Sequence, residues 1–124
     1  MEIHHHWKGT GICAEAIALM GRAYGSKPGE IVAALGPCIG PCCYAVRDDR
    51  YRLFLEEYGS RAVCRDSDGG YRVDLREANA VLLERAGIGG VSAVGDCTCC
   101  GPAFGSFRGE GPLLTRMIAM IGSF

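Results

Sequence analysis

Six of the eight cysteines of this 124-residue chain fall in two short stretches rich in glycine and proline. The first is Leu35-Gly36-Pro37-Cys38-Ile39-Gly40-Pro41-Cys42-Cys43-Tyr44; the second is Gly95-Asp96-Cys97-Thr98-Cys99-Cys100-Gly101-Pro102. A thiolate is a soft metal ligand and a nucleophile. Cys38, Cys42, Cys97 and Cys100 are within reach of a four-cysteine structural zinc site, although their spacings match no strict knuckle. The competing reading makes several of these thiols small apolar residues of the core, and burial is the commoner fate of a free cysteine. A nucleophilic cysteine would need a lowered pKa and a partner base. The only histidines are His4, His5 and His6. On a strand His4 and His6 share a face, so they are candidate ligands; the alternative is an exposed polar strand end.

These groups need elements to hold them. The apolar run Ile31-Val32-Ala33-Ala34-Leu35 predicts a short buried strand. The two Gly-Pro steps forbid its continuation, because proline lacks an N–H and pushes the preceding residue out of the helical region. A rigid loop at a strand end is a usual place for a binding site. Residues 2–6 read as the end of a strand. A helix follows, opened by Thr10 or Gly11 with Thr10 as a candidate N-cap, with Ile12, Cys13, Ala16, Ile17, Met20 and Tyr24 at helical spacing, and with Gly25 closing it. Asp48 and Asp49 suit the start of a second helix, whose stripe is Tyr51, Phe54, Leu55 and Tyr58. Two strands, 62–64 and 71–75, are joined by the turn Asp66-Ser67-Asp68-Gly69-Gly70. Asp74 caps a helix over residues 75–86 with Ala78, Leu82, Leu83 and Ala86 inward. Residues 91–94 form the strand before the second cysteine loop, and residues 117–121 a closing strand or short helix. Strands and helices interleave around one hairpin, which predicts an α+β fold: a mixed sheet with interleaved helices in one domain.

Composition narrows the function classes. The formal net charge of −1 gives no basic field for nucleic acid. The apolar runs fall far short of the roughly 20 residues that span a bilayer, so no membrane association is expected. Residues 1–6 are not the basic stretch and apolar core of an export signal, so a cytoplasmic location is expected. Eight cysteines in that setting favour reduced thiols or metal ligands over a disulfide framework.

Taken in order, His4-x-x-Trp7-Lys8-Gly9-Thr10, the block Gly36-Pro37-Cys38-Ile39-Gly40-Pro41-Cys42-Cys43-Tyr44-Ala45-Val46, Asp74-Leu75, Cys97-Thr98 and Ser106-Phe107-Arg108 follow one pattern. The chain resembles the laccase-domain or YfiH-like family, also called multicopper polyphenol oxidase. Members of that family have been reassigned as purine nucleoside phosphorylases with adenosine deaminase activity. The Gly-Pro-Cys-Ile-Gly-Pro-Cys-Cys-Tyr block is the specific part. The family's His-Ala-Gly-Trp-Arg-Gly stands here as His4-His5-His6-Trp7-Lys8-Gly9, and lysine loses the planar fork of arginine. The usual Thr-Gly-Arg near the end looks like Leu114-Thr115-Arg116.

The resemblance implies the C-terminal half of a YfiH-like αββα domain, with the N-terminal half that carries two of the family's zinc ligands lacking. Of the family's histidine, cysteine and histidine, only the last has a counterpart, His4, with His6 a possible substitute on the same face; none of the eight cysteines matches the family's metal-binding cysteine. Zinc is the implied cofactor, with copper carried over from the family's name. Zinc would activate water or polarise substrate in deamination. In phosphorolysis, phosphate attacks the ribose C1′ of a purine nucleoside, with Lys8 and Arg108 as candidate phosphate ligands and Arg108 as a solvated turn residue the alternative. Trp7, Gly36, Pro37, Cys38, Gly40, Cys42 and Cys43 are expected in the pocket wall. The implied partners are a purine nucleoside and phosphate. Other expectations stay open: inactivity of the chain alone, a non-enzymatic domain with structural zinc or core cysteines, polyphenol oxidation, and editing of peptidoglycan precursors. Without the missing half, the strand over residues 1–6 would be an unpaired edge, so self-association through it or poor folding is expected.

Overall fold

The computed structural model of the chain describes residues 11–113 and 115–122. The strand expected over residues 2–6, and with it His4, His6, Trp7 and Lys8, lies outside the described residues. The elements run α1 (Ile12–Tyr24), β1 (Val32–Leu35), α2 (Asp48–Tyr58), β2 (Val63–Arg65), β3 (Tyr71–Val73), α3 (Leu75–Arg85), β4 (Gly90–Ala93) and the single-turn α4 (Phe107–Glu110). The α+β class is borne out. Its strands form two small sheets, β1 parallel to β4 and β2 antiparallel to β3. No helix among the described residues is long and apolar enough to cross a membrane.

The core forms where α2 and α3 pack against the hairpin. Phe54 and Tyr58 come from one face of α2, Val63 and Val73 from the hairpin, Ala62 from the turn before it and Ala78 from α3. Tyr44, the last residue of the Gly-Pro loop, completes this cluster. Burying each large side chain contributes roughly 1.5–3 kcal/mol. The hairpin turn is fixed by Asp66, whose Oδ1 accepts from the N–H groups of Asp68 (3.1 Å) and Gly70 (2.6 Å). A Cβ on Gly70 would lie 2.6 Å from the Asp66 carboxylate, so the turn requires glycine there. Asp74 caps α3 as its sequence predicts, accepting from Arg76 (2.9 Å) and Glu77 (3.2 Å).

Four expectations are corrected. The N-cap of α1 is Gly11, with no side-chain cap, rather than Thr10. Gly11 is buried because the helix start presses on α3: a Cβ there would come within 2.9 Å of Leu82 Cδ1. The inner face of α1 buries only Ile17, and Tyr24 is 82% exposed, because α3 is the main neighbour this helix has among the described elements. The strand β1 is not buried: its residues alternate exposed and half-buried, with Val32 at 75%, because among the described residues the β1–β4 sheet has no third strand. Residues 117–121 form neither strand nor helix, and Met117, Ile118, Met120 and Ile121 are exposed. Apolar composition without a partner face does not make an element.

Candidate functional site

Parallel pairing of β1 with β4 runs from Val32↔Gly90 to Leu35↔Ala93, so both strands deliver their following loops to the same edge. Parallel strands release their carboxyl ends side by side, and ligands collect at such edges. The pairing resumes at Cys38↔Cys97, where Thr98 N–H donates to the Cys38 carbonyl at 3.0 Å. Two residues intervene on one strand (Gly36, Pro37) and three on the other (Val94, Gly95, Asp96). Each loop then turns back. Cys43 and Tyr44 donate to the Gly40 carbonyl, both at 3.0 Å, and Gly101 donates to Cys97 at 3.0 Å.

The two turns bring four sulfurs together. The Sγ atoms of Cys42, Cys43, Cys97 and Cys100 all lie within 4.8 Å of one another. Cys42 and Cys100 are 3.5 Å apart and Cys43 and Cys100 3.1 Å. All eight cysteines are free thiols. Gly40 makes the approach possible: a Cβ there would stand 3.2 Å from Cys42 Sγ and 3.3 Å from Cys97 Cβ. Its N–H donates to Cys97 Sγ at 3.2 Å. Burial works to raise the Cys97 thiol, but the N–H groups of Gly40, Cys100 and Cys99 outweigh it and lower it from 9.0 to about 6. Hydrogen bonding with Cys100 raises Cys42 and Cys43. Within the cluster, Cys97 is therefore the thiol most readily ionised by its surroundings.

This set differs from the expected one by one member. Cys43 takes the place of Cys38, whose backbone extends the parallel ladder while its thiol sits beside Arg76, raised by burial against the lowering effect of that guanidinium. The expectation of core cysteines is also corrected. None of the eight is fully buried, and Cys42, Cys64 and Cys100 are exposed. Burial of Ala62, Val63, Val73 and Ala78 leaves the core to apolar residues.

An open hollow of about 340 Å³ is lined by Ala45, Val46, Arg47, Asp49, Arg50, Leu53 and Arg108. The Arg108 guanidinium stacks 5.0 Å from the centre of the Tyr44 ring, and Arg50 donates to the Tyr44 hydroxyl at 3.4 Å. Arg108 is thus held on the Gly-Pro loop, as a motif residue in α4. Arg47 and Arg50 carry no motif; their only signal in the sequence was the charge flanking Asp48 and Asp49 at the start of α2. Of the residues expected in the pocket wall, Gly36 is exposed, Pro37 lies between the paired stretches, Cys38 sits in the ladder extension, and Gly40, Cys42 and Cys43 form the thiol turn. None of them lines this hollow. Each of the two cysteine loops is braced by an arginine. Arg72 donates to the Cys42 carbonyl at 3.2 Å while pairing with Asp66 at 2.8 Å, and Arg76 donates to the Gly95 carbonyl at 3.2 Å.

The fold and these two sites define an α+β domain with a thiol cluster at Cys42, Cys43, Cys97 and Cys100 and a cationic hollow that begins at Ala45. Residues 2–123 match the family model described as multi-copper polyphenol oxidoreductase laccase, and the chain belongs to that family. It is 36% identical over 127 residues to "Purine nucleoside phosphorylase YlmD" of Geobacillus stearothermophilus, covering 96% of this chain and 46% of that protein. It is 36% identical over 87 residues to "Purine nucleoside phosphorylase LACC1" of Mus musculus, covering 68% of this chain and 20% of that protein. The crystal structure of Neisseria meningitidis protein NMB0706, a DUF152 protein, superposes with a TM-score of 0.63 at 28% identity, over 85% of this chain and 44% of that one. The chain spans about half the length of the bacterial relative, or less for the mouse protein.

Proposed function

We propose that this chain contributes the phosphate-binding side of a purine nucleoside phosphorylase site. The observation that carries the reading is the hollow lined by Arg47, Arg50 and Arg108 against Tyr44, in a chain whose relatives are named purine nucleoside phosphorylases. Guanidinium groups match phosphate oxygens in a planar, bidentate way and stay charged at every physiological pH. Stacking on Tyr44 fixes Arg108 without using its donors. Asp49, 3.7 Å from Arg47, makes only an exposed ion pair with it, so the arginine is free to turn to an anion.

In the reaction, a phosphate oxygen attacks the ribose C1′ as the C1′–N9 bond breaks. The electron pair of that bond leaves on the purine, which takes up a proton, and the products are ribose 1-phosphate and the free base. The chain's own groups bind and orient the attacking anion, which accelerates the step by fixing distance and direction. Lys8 is a further candidate cation for this role, and His4, with His6 beside it, for metal binding. The four clustered thiols do not fit a catalytic zinc, which needs an open position for water or substrate.

Phosphate-dependent release of hypoxanthine from inosine, and of adenine from adenosine, is followed by chromatography. Arg108→Gln is expected to raise the KM for phosphate about tenfold or more, the loss of one charge-assisted contact. Release that is independent of phosphate, or a KM for phosphate unchanged in Arg108→Gln, contradicts the proposal.

A further inference from the structure

We infer that Cys42, Cys43, Cys97 and Cys100 form a closed tetrathiolate site for a zinc-class cation that staples the two loops together, a structural centre separate from phosphorolysis. Four sulfurs at one point of the surface, contributed in pairs by segments more than fifty residues apart, need a common partner or a cross-link. A tetrahedral zinc with Zn–S near 2.3 Å has sulfur–sulfur edges of ~3.8 Å. The observed cluster, with all four Sγ within 4.8 Å and edges of 3.5 and 3.1 Å, closes on that size by small side-chain rotations. Cys97 and Cys100 have the C-x2-C spacing of a zinc knuckle, and the turn from Cys97 to Gly101 is closed by a backbone bond at 3.0 Å.

The surroundings suit a metal–thiolate centre. Metal-bound ligands are oriented by hydrogen bonds from outside the coordination shell. Gly40 N–H supplies one to Cys97 Sγ at 3.2 Å. The same glycine leaves the space between Cys42 and Cys97 that any side chain would occupy. Cys42 and Cys100 are exposed, which gives the ion a way in. Arg72 and Arg76 hold the two loop backbones through the carbonyls of Cys42 and Gly95, so the donors are positioned before a metal arrives. Four thiolates fill a tetrahedral shell, leaving no place for water or substrate, so the centre acts on stability and on the placing of Tyr44.

Zinc content of the reduced protein, measured by plasma mass spectrometry, tests this without any assay of turnover. About one zinc per chain is expected in this site, falling at least about tenfold in Cys97→Ser and Cys100→Ser. Cys100→His, which keeps a zinc-binding donor, should retain it, as should Cys13→Ser and Cys64→Ser, whose thiols lie elsewhere. Cobalt substitution should give the intense thiolate charge-transfer absorption of a tetrahedral sulfur site. Because a ligand variant could fail to fold, the unaltered protein is also unfolded thermally before and after treatment with a chelator. The midpoint should fall on chelation and return with added zinc. Zinc that survives Cys97→Ser and Cys100→Ser, a midpoint indifferent to chelation, or a Cys43–Cys100 disulfide in place of metal would each overturn the inference.

Discussion

Two regions of this molecule solve the problem of order by different means. Around α2, α3 and the hairpin, order comes from burial: Phe54, Tyr58, Ala62, Val73 and Ala78 are almost or entirely out of water. At the carboxyl edge of β1 and β4 there is little to bury. Val94, just past β4, is exposed, and the loop thiols sit at or near the surface. Backbone hydrogen bonds, two arginine braces and clustered sulfur take the place of a core there. Small structures that lack sufficient apolar burial are commonly held by cross-links or metals. The same chain shows that rule applied region by region.

The contrast can be broken most strongly from the buried side. Phe54→Ala should cost about 3–5 kcal/mol, enough to unfold a marginal domain, read as a lower denaturant midpoint. The carboxyl edge should respond differently. Gly40→Val drives a branched side chain against Cys42 and Cys97, and should cost about 1–3 kcal/mol while lowering zinc content in parallel. A loss of stability with unchanged zinc content would show that the loops are held by packing instead. Next in size, Asp74→Ala removes the cap of α3 and should cost about 1 kcal/mol, with no change in metal content.

The smallest effect expected is in acid. The Arg72 guanidinium beside it, with the N–H of Gly70, holds the Asp66 carboxyl below its ordinary 3.8. A carboxylate depressed on folding contributes stability that is present above its unfolded pKa and lost as pH falls through the folded one. The hairpin should therefore weaken as pH drops below about 4, the ordinary carboxylate value. Asp66→Asn should remove that part of the acid dependence, as followed by amide exchange of Arg72 and Val73. An acid profile identical in the variant would place the sensitivity elsewhere.

Local chemistry made the burial-driven region legible in the sequence. Asp74 before an apolar period gave α3, Asp66 to Gly70 gave the hairpin turn, and Gly25, at φ 70°, ended α1 where only glycine sits easily. The Gly-Pro motif gave the loop and the family. The membership of the thiol cluster was not legible. Whether Cys38 or Cys43 joins Cys97 depends on the register of two strands far apart in the chain, and that register sets Cys38 in the ladder opposite Cys97. Exposure of β1 depends likewise on strands that do or do not lie beside it, which four apolar residues cannot announce. The arginine hollow was legible only at Arg108, because Arg47 and Arg50, at the start of α2, read as ordinary helix-end charges until the fold brings Arg108 beside them.

The wide separation of β1 and β4 has a consequence during synthesis. Cys43 precedes Cys97 by 54 positions, so at about 5–20 residues per second the first pair of thiols leaves the ribosome roughly 3–11 s before Cys97 does. The hairpin and α3 are made in that interval and can condense on Tyr44 as they emerge. For those seconds Cys42 and Cys43 are open to oxidants or to a wrong metal, and the order of translation itself delays the sealing of the two loops until Cys100 has followed them.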